Sequence, residues 1–520
     1  MLAGVGGVMR RAFVGGRVET MDDGPMPSVV IVADGRIEAV GDHGLIDGPG
    51  HVETVDLRGR LLLPGFIDAH HHLSIAALEP VWADLTGVDD LERAAALLAD
   101  AAARTPGATW VRGCNWSRDA LRLTLQDLDA MAFDRPAIVA CTSLHRCVVS
   151  SRGLDELGIG AATEDPPGGR IHRDRSGRLT GLLIETAWSR AHALSVAGTT
   201  DPDRFADLIE ERARVLLSYG ITAVHDTAMS PRAEAAYRLL AAQGRLPVSV
   251  LGFPHAAELL TGPDPDRWEG PVTGDGDERF RVGPVKIFAD GVWPPACDGH
   301  IDGERVRFGE VMPGLDEDIR AAVAHGFGVA MHAIGNVGLG AALDGWSAAI
   351  RGLEPDHGAR VEHVTLAGPS DIDRMRRLGV TGVVQPGFVD DMGDLAVGFG
   401  YDEQTWLPFA ELASRGVPLA ASSDFPCSAT AQPIALSRFG VERRTRAGAM
   451  LAPDQALPLA TWLRLWTAGA ADAGEQSDER GRIRPGLRAD LVVLDGDVDG
   501  PLDVAQTWVA GECVHDATGD

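Results

Sequence analysis

The segment LLLPGFIDAHHHLS, residues 61–74, begins as an apolar run and ends in three consecutive histidines. Alternate residues of a strand point to the same side. We therefore expect His70 and His72 to project together, and His71 to face away as a structural or supporting residue. A His-x-His pair alone fits an ordinary pair of core histidines as well as a metal site. The interpretation therefore depends on how the other strands end.

Strand-like apolar segments recur along the chain and alternate with Ala- and Leu-rich stretches of helical period. This alternation is typical of repeated βα units around a parallel sheet. Eight segments are candidate strands, at residues 65–70, 221–226, 247–253, 284–290, 327–333, 360–364, 380–386 and 417–424. Since eight strands close a (β/α)8 barrel, the sequence predicts an α/β chain built on a TIM barrel.

The two ends of the chain predict a second, smaller unit. Short alternating runs broken by Gly and Asp fill residues 10–60, and the same pattern returns in GRIRPGLRADLVVLDGDVDG near the end. We expect residues 1–62 and 471–520 to form one β-sandwich domain, and residues 63–470 to form the barrel. Residues 75–215 are too many for one crossover, so we expect them to be a large insertion after the first barrel strand, over or beside the barrel mouth.

Composition excludes several classes of partner. The 520 residues are 45% hydrophobic, and 47 Lys and Arg stand against 75 Asp and Glu, a formal net charge of −28. This charge repels phosphate backbones and anionic lipid heads, so we expect neither nucleic acid nor a membrane as partner. Six scattered cysteines without a CxxC spacing are expected to be small core residues, and no signal peptide or membrane span is recognised. A cytoplasmic protein is therefore expected, with its start at Met1 or Met9 left open.

Four more candidate strands carry residues that can bind a metal or transfer protons. Lys286 lies inside an apolar strand, where a bare ammonium group is costly to bury. His332, His363 and Asp424 lie at or near the ends of three others. In a barrel, the carboxyl ends of all strands meet at one face, where the chemistry of this fold is built. Each residue alone has a structural interpretation, but together with the first strand they indicate a metal centre.

A series of short motifs runs in order along nearly the whole chain. The motifs are LPGFIDAHHHL, DPPGGRIHRDRSGRLTGLLIE, ITAVHD, VKIFADG, MHAIGN, RVEHV, VVQP, SSDFP and GRIRPGLRADLVVLD. They resemble the amidohydrolase superfamily, and specifically its YtcJ-like branch (amidohydrolase family 3), which includes N-substituted formamide deformylases. The resemblance is specific in the order and context of the motifs rather than in any single one.

The resemblance implies a centre for one or two divalent metal ions, usually zinc. The implied ligands are His70, His72, Lys286, His332, His363 and Asp424. Carboxylation of Lys286 by CO2 would turn its ammonium group into an anion that bridges two metals. Whether this chain holds one metal or two stays open, as does a homodimer, since dimers are common in the family.

The ligand types indicate hydrolysis of a carbon–nitrogen bond in a small molecule. A metal stabilises hydroxide, so a bridging water loses a proton near neutral pH, and Asp424 can accept that proton and deliver it to the leaving nitrogen. We expect a metal-dependent amidohydrolase that cleaves an amide, N-acyl or N-formyl bond other than a peptide bond, with Asp424, Lys286 and His363 as catalytic residues. Two alternatives stay open: a deaminase or cyclic-amide hydrolase at the same centre, and a non-catalytic scaffold of the same fold.

Three residues are expected to contact substrate. His145, in SLHRCVVS, lies where the family usually shows an Asp-Gly-His-Ser stretch, so the resemblance implies a substrate contact, with a structural histidine as the alternative. Asp290 and Trp293 belong to the segment ADGVWPPACDGH, which commonly touches substrate in the family. Because this segment departs from the usual Asp-Gly-Ser/Thr run, the resemblance does not give the substrate.

Overall fold

The computed structural model describes residues 10–47, 52–292, 294–498 and 500–519. Met1, Met9 and Trp293 lie outside the described residues, so the expectations attached to them have no structural counterpart. Within the described ranges, none of the helices is both long and apolar enough to cross a membrane.

Two parallel sheets form the centre of the molecule. The strands of the first, in the order β4-β3-β2-β1, are β1 (Phe66–His71), β2 (Ile221–Met229), β3 (Ser249–Pro254) and β4 (Phe280–Val282). The strands of the second, in chain order, are β5 (Val285–Phe288), β6 (Val329–Ala333), β7 (Ala359–His363), β8 (Thr381–Val384) and β9 (Leu419–Ala421). Each of the eight predicted segments contains a strand, and the short β4 is additional.

The two sheets adjoin at both edges. At one edge, the N–H of Gly283 donates to the carbonyl of Gly252 in β3 at 2.8 Å, and β5 begins two residues later. A Cβ at Gly283 would lie 2.6 Å from the ring of Phe253, so this close approach requires glycine. At the other edge, the N–H of Asp424 donates to the carbonyl of His70 at 2.8 Å. The carboxyl ends of β1 and β9 therefore lie side by side.

Four of the central strands, β1, β5, β6 and β7, are buried along their whole length, as expected for parallel strands covered on both faces. Register aligns their ends, because Phe288 pairs with His332, and Ala333 pairs with His363. His332 and His363 consequently lie within one residue of each other in level, and Lys286 lies two residues before the end of β5.

Helices connect and flank the strands. The α-helices are Leu73–Ala76, Leu91–Arg104, Leu125–Ala130, Ser151–Leu157, Thr186–Ala197, Pro202–Leu217, Pro231–Ala242, Leu315–Ala324, Asn336–Ala349, Pro369–Leu378, Phe388–Asp391, Gly393–Gly398, Phe409–Ser414, Pro433–Glu442, Leu459–Arg464 and Ala470–Ala473. Single turns of 3-10 helix lie at His43–Leu45, Glu79–Val81, Pro265–Glu269 and Pro453–Gln455, and Leu465–Gly469 is a π-helix. Side-chain caps define several starts: Asp90 accepts from the N–H of Arg93, and Asp201 from that of Arg204.

The two ends of the chain share one sheet. Its five strands are, in order, Arg17–Val18, Leu61–Pro64, Leu491–Gly496, Leu502–Val509 and Glu512–Asp516. A second, four-stranded sheet consists of Arg36–Gly41, Val29–Ala33, Arg10–Val14 and Val52–Asp56. Buried apolar residues of both sheets, among them Phe13, Leu62 and Trp508, pack in a single cluster.

The segment between β1 and β2 folds around a sheet of its own. The six strands are, in order, Gly169–Arg173, Leu179–Glu185, Arg146–Val149, Ala137–Cys141, Val111–Trp116 and Ala83–Asp84. One apolar cluster is drawn entirely from this segment, with Leu98, Val139 and Leu182 among its members. Two antiparallel strand pairs complete the described strands: the hairpin Cys297–Ile301 with Glu304–Phe308, and Leu366–Ala367 with Thr405–Trp406.

Candidate metal centre

The carboxyl ends of the central strands surround a cavity of about 370 Å³. All six residues that the sequence analysis singled out as metal ligands line this cavity: His70, His72, Lys286, His332, His363 and Asp424. These residues come from β1, β5, β6 and β7, from the residue after β1 and from the segment that follows β9. The topology thus brings together residues that lie up to 354 positions apart in the sequence.

The carboxylate of Asp424 lies at the middle of the cluster. Its Oδ1 is 3.3 Å from His70 Nε2 and 3.1 Å from His72 Nε2, and its Oδ2 is 4.0 Å from His363 Nδ1. Three potential ligand atoms lie within 4.8 Å of one another, one each from His70, His363 and Asp424. Cys427 forms a similar group with His72 and Asp424, although the sequence analysis treated it only as a core residue.

His70 and His72 each have a hydrogen-bond acceptor next to ring nitrogen Nδ1. His70 Nδ1 lies 2.6 Å from Glu362 Oε2, and His72 Nδ1 lies 2.7 Å from the carbonyl of Thr227. A carboxylate and a carbonyl only accept hydrogen bonds, so both rings carry their proton on Nδ1. Nε2 of His70 and of His72 therefore presents a lone pair towards Asp424, as metal-binding histidines do.

Glu362 is itself fixed by a buried arginine. Arg360 donates to Glu362 Oε1 through Nε at 2.6 Å and to Oε2 through Nη2 at 3.0 Å. Arg360 Nη1 also lies 3.0 Å from His225 Nδ1. Arg360 and Glu362 both lie in the motif RVEHV, but the sequence predicted a role for neither. No local signal distinguishes them, because their partners belong to β1 and β2.

His71 faces the other side of β1, as strand alternation predicted. Its Nδ1 lies 3.1 Å from Asp68 Oδ2 and 3.3 Å from Ser423 Oγ, and its ring stacks on Phe425 at 5.7 Å. Asp68 also accepts from the backbone N–H of Ser423 at 2.9 Å. His71 therefore ties the end of β1 to the segment that carries Asp424.

Burial sets the protonation of the cluster. Burial lowers the pKa of His363 to about 4 and holds the pKa values of His70 and His332 well below their usual range. Neutral imidazole is the form that binds metals. Although burial alone would raise the pKa of Asp424, the neighbouring His70, His72 and His363 hold it below its usual range. Asp424 is therefore a carboxylate.

Three polar atoms of the cluster suit a bound cation. Lys286 Nζ, His332 Nε2 and Asp424 Oδ1 are buried and have no hydrogen-bond partner among the described residues. Buried polar groups are normally paired, so these atoms are available to bind a cation. Burial lowers the pKa of Lys286 to about 8, which makes the neutral amine accessible near physiological pH. Imidazole nitrogens and carboxylate oxygen are ligands that zinc prefers, so the residues fit a divalent ion.

Backbone strain marks two of the predicted ligands. His363 has φ of 77° and Asp424 has φ of 59°, in the left-handed region that side-chain-bearing residues rarely adopt. Such strain persists where the surrounding structure fixes it, and it clusters at functional sites. The bond from the N–H of Asp424 to His70 provides part of that support.

The segment between β1 and β2 adds a histidine to the cavity. His145 lines it, its ring centroid lies 5.5 Å from that of His332, and its Nδ1 lies 2.6 Å from Glu185 Oε2. Glu185 has φ of 50° at the end of its strand. Sequence reasoning missed Glu185, although it ends the quoted motif GLLIE.

Asp290 has mainly backbone partners. Its carboxylate accepts from the N–H groups of Ile334, Gly335 and Ala296 at 3.0, 2.8 and 3.0 Å. Burial raises its pKa to about 7 despite these bonds. Asp290 is not among the residues that line the described cavity. A substrate contact for Asp290 therefore stays a prediction, and its visible role is to anchor the segment after β6.

A second, apolar cavity of about 210 Å³ adjoins the first. Val292, Ile334 and Met392 line both cavities. The other lining residues are Pro294, Pro295, Phe308, Leu395, Ala396, Phe399 and Trp406. This cavity offers apolar and aromatic contacts beside the candidate centre.

Comparisons with known proteins identify relatives over nearly the whole chain. Residues 53–515 match the amidohydrolase family. An N-substituted formamide deformylase from Arthrobacter pascens is 32% identical over 516 residues, which cover 94% of this chain and 95% of that protein. YtcJ of Bacillus subtilis (strain 168), described as an amidohydrolase, is 27% identical over 98% of this chain and its own full length.

Solved structures show the same fold. The crystal structure of an uncharacterized metal-dependent hydrolase from Pyrococcus horikoshii OT3 matches with a TM-score of 0.75 at 22% identity, over 94% of this chain and 98% of that one. The motif order, the strand ends and these relatives agree: the chain belongs to the amidohydrolase family, in its YtcJ-like branch.

Proposed function

We propose that this chain is a metal-dependent hydrolase that cleaves the carbon–nitrogen bond of a small N-acyl or N-formyl amine. The observation that carries the proposal is the buried group of His70, His363 and Asp424, whose ligand atoms lie within 4.8 Å of one another. The relative from Arthrobacter pascens, named for its action on N-substituted formamides, supports the same bond type.

The six residues named as candidate ligands would hold the metal. His70, His72 and Asp424 would bind one divalent ion, most simply zinc, and Lys286, His332 and His363 a second ion if two are present. A divalent ion supplies Lewis acidity, which polarises a carbonyl and lets water lose its proton near neutral pH. The unpartnered, buried Nζ of Lys286 supports carboxylation, because the neutral amine is the form that adds CO2 and then loses a proton.

The chain's own groups would transfer the proton. Asp424 is held as a carboxylate at the centre of the cluster, so it can accept a proton from the attacking water. The same carboxyl can then protonate the leaving nitrogen, which completes cleavage of the carbon–nitrogen bond. His145, paired with Glu185, lies within reach of the same space and can contact the substrate.

The adjoining apolar cavity favours substrates with an apolar substituent. Phe308, Phe399 and Trp406 offer aromatic contacts, and Met392 between the two cavities is a flexible side chain. A small acyl or formyl group at the metal and an apolar amine substituent beside it would use both spaces.

The architecture is proposed in the same terms. We infer that β1 to β9 close into one (β/α)8 barrel, because the sheets adjoin at both edges, and that residues 63–470 contain it, with the insertion at about 75–215. Residues 1–62 and 471–520 would form a β-sandwich domain, which the shared five-stranded sheet supports. The cytoplasmic location and a homodimer stay predictions.

A panel of substrates on the metal-loaded protein tests the proposed reaction. N-substituted formamides with methyl, butyl and benzyl substituents would be compared with N-acetyl amines, cyclic amides and cyclic amidines by release of amine or ammonia. The proposal predicts turnover of formyl or acyl amines, with kcat/KM rising with the apolar substituent. Turnover confined to cyclic amidines would instead establish a deaminase.

A further inference from the structure

A buried arginine lies behind the candidate active-site cavity without an acidic partner. Arg112 is 3% exposed and forms no ion pair with any of the described residues. Burial lowers the pKa of Arg112 to about 10, so the guanidinium still carries its charge at neutral pH. An uncompensated buried charge is costly, and such groups mark functional sites.

Arg112 is fixed by polar and aromatic contacts rather than by an ion pair. Its Nη1 donates to Ser195 Oγ, its Nη2 lies 3.3 Å from His192 Nδ1, and its guanidinium lies 4.3 Å from the centre of the Trp82 ring. Ser195 Oγ in turn donates to the carbonyl of His192 at 3.0 Å. Arg112 therefore holds both the ring and the backbone of His192.

This contact fixes the tautomer of His192. A guanidinium has only donors, so Nδ1 of His192 must be the acceptor and its proton must lie on Nε2. Burial and the charge of Arg112 both lower the pKa of His192, so the ring stays neutral. His192 lines the cavity, and the side-chain hydrogen bond that it forms among the described residues is at Nδ1.

His145 has the opposite environment in the same cavity. Its Nδ1 meets the Glu185 carboxylate at 2.6 Å, so a carboxylate lies behind this ring where a guanidinium lies behind His192. A carboxylate behind an imidazole supports proton transfer, whereas a guanidinium restricts the ring to donating a hydrogen bond. The two histidines therefore have different capacities.

We propose that His192 is a neutral hydrogen-bond donor for the oxygen on which negative charge develops during the reaction, and that Arg112 is its positioning residue. This inference rests on the proposed hydrolysis, since amide cleavage passes through a tetrahedral species whose former carbonyl oxygen is anionic. A preoriented donor in a water-poor cavity is worth most at such an oxygen. The positive charge of Arg112 behind the ring polarises the Nε2–H bond further.

Nitrogen NMR tests the tautomer without reference to activity. In protein labelled with 15N-histidine, the signals that disappear in His192→Phe identify the ring, and we expect a bare Nδ1 and a protonated Nε2 at pH 7. Arg112→Met should weaken this preference. Arg135→Met is the matched control, because Arg135 is also nearly buried and donates to backbone carbonyls of the same segment. A protonated Nδ1 on His192 in the wild type would overturn the proposal.

Binding and turnover test the role at the site. We expect His192→Phe to lower kcat by about 10²-fold with KM changed less than threefold, as for loss of one oxyanion donor. His192→Gln keeps an N–H donor of similar reach, so it should recover part of the lost kcat. Metal content should be unchanged in both variants. Methylphosphonate, a tetrahedral anion, should bind metal-loaded wild type at least tenfold more tightly than His192→Phe.

The outcomes separate the two proposals. Wild-type protein that binds methylphosphonate through His192 but hydrolyses no amide would contradict the proposed function and leave the donor role intact. Equal methylphosphonate affinity in wild type and His192→Phe, or a kcat within threefold of the wild type, would overturn the donor role.

Discussion

Glu362→Gln is the most informative single change, because Glu362 is fully buried between a predicted metal ligand and an arginine. The carboxylate accepts three hydrogen bonds, one from His70 and two from Arg360. A glutamine has one acceptor oxygen and an NH2 group in place of the other. The NH2 group of the glutamine would therefore face an N–H donor of either His70 or Arg360.

Two consequences with different magnitudes follow. Loss of a partner that orients a metal-binding histidine typically weakens metal affinity by about 10- to 100-fold, equal to about 1.4–2.7 kcal/mol. Breaking a buried ion pair costs about 3–5 kcal/mol of unfolding free energy, because Arg360 keeps its charge. We therefore expect a weaker metal Kd together with a lower Tm.

Chelator competition well below the Tm separates the two effects. The zinc Kd would be measured for wild type and variant at a temperature where circular dichroism shows both folded, and the Tm separately. Glu38→Gln is the control, since Glu38 pairs with Arg10 on the surface, where the loss of an ion pair should change the Tm little. A wild-type Kd in folded Glu362→Gln would refute the claim that this carboxylate orients His70.

Three further predictions concern turnover and pH. Asp424→Asn should lower kcat by about 10²–10⁴-fold with an unchanged circular dichroism spectrum, and near-normal turnover would show that the proton transfer runs elsewhere. Glu185→Gln should lower kcat by about tenfold or more with unaltered metal content, because His145 loses the carboxylate behind its ring; an unchanged kcat would make this pair structural. The hydrogen bond to Glu475 raises the pKa of His357, and the same bond lowers that of Glu475. The charged pair therefore stabilises the fold below the raised histidine pKa and loses its effect above it, so His357→Gln should lower the Tm at pH 5.5 but not at pH 9. An equal Tm difference at both pH values would contradict the pairing.

The sequence predicted the central strands well because each predicted segment contains a short buried apolar run. β1 and β7 differ from their predicted ranges by one residue at each end. β9 is shorter than predicted, Leu419–Ala421 instead of 417–424, because the chain leaves the sheet before the left-handed turn at Asp424. That turn gives Asp424 its position among the histidines.

The supporting residues of the site could not be predicted, because their partners are distant in sequence. Glu362 and His70 are 292 positions apart, and nothing in RVEHV shows which strand its glutamate will face. His192 and Arg112 lie on a helix and a strand 80 positions apart. Asp290 follows an apolar strand, and this position predicts a contact with the cavity. In the structure, its carboxylate instead accepts hydrogen bonds from nearby backbone N–H groups. The sequence pattern therefore predicts which strands carry the candidate ligands. The residues that orient those ligands are determined by tertiary contacts.

The metal content of the purified protein, measured together with its activity, tests the central claim most directly. Inductively coupled plasma mass spectrometry should find one or two zinc, manganese or iron ions per folded wild-type chain. A chelator should abolish hydrolysis and the metal should restore it, while His70→Ala should fold but lose both metal and activity. Folded wild-type protein that takes up no divalent ion under metal-replete conditions would contradict the account.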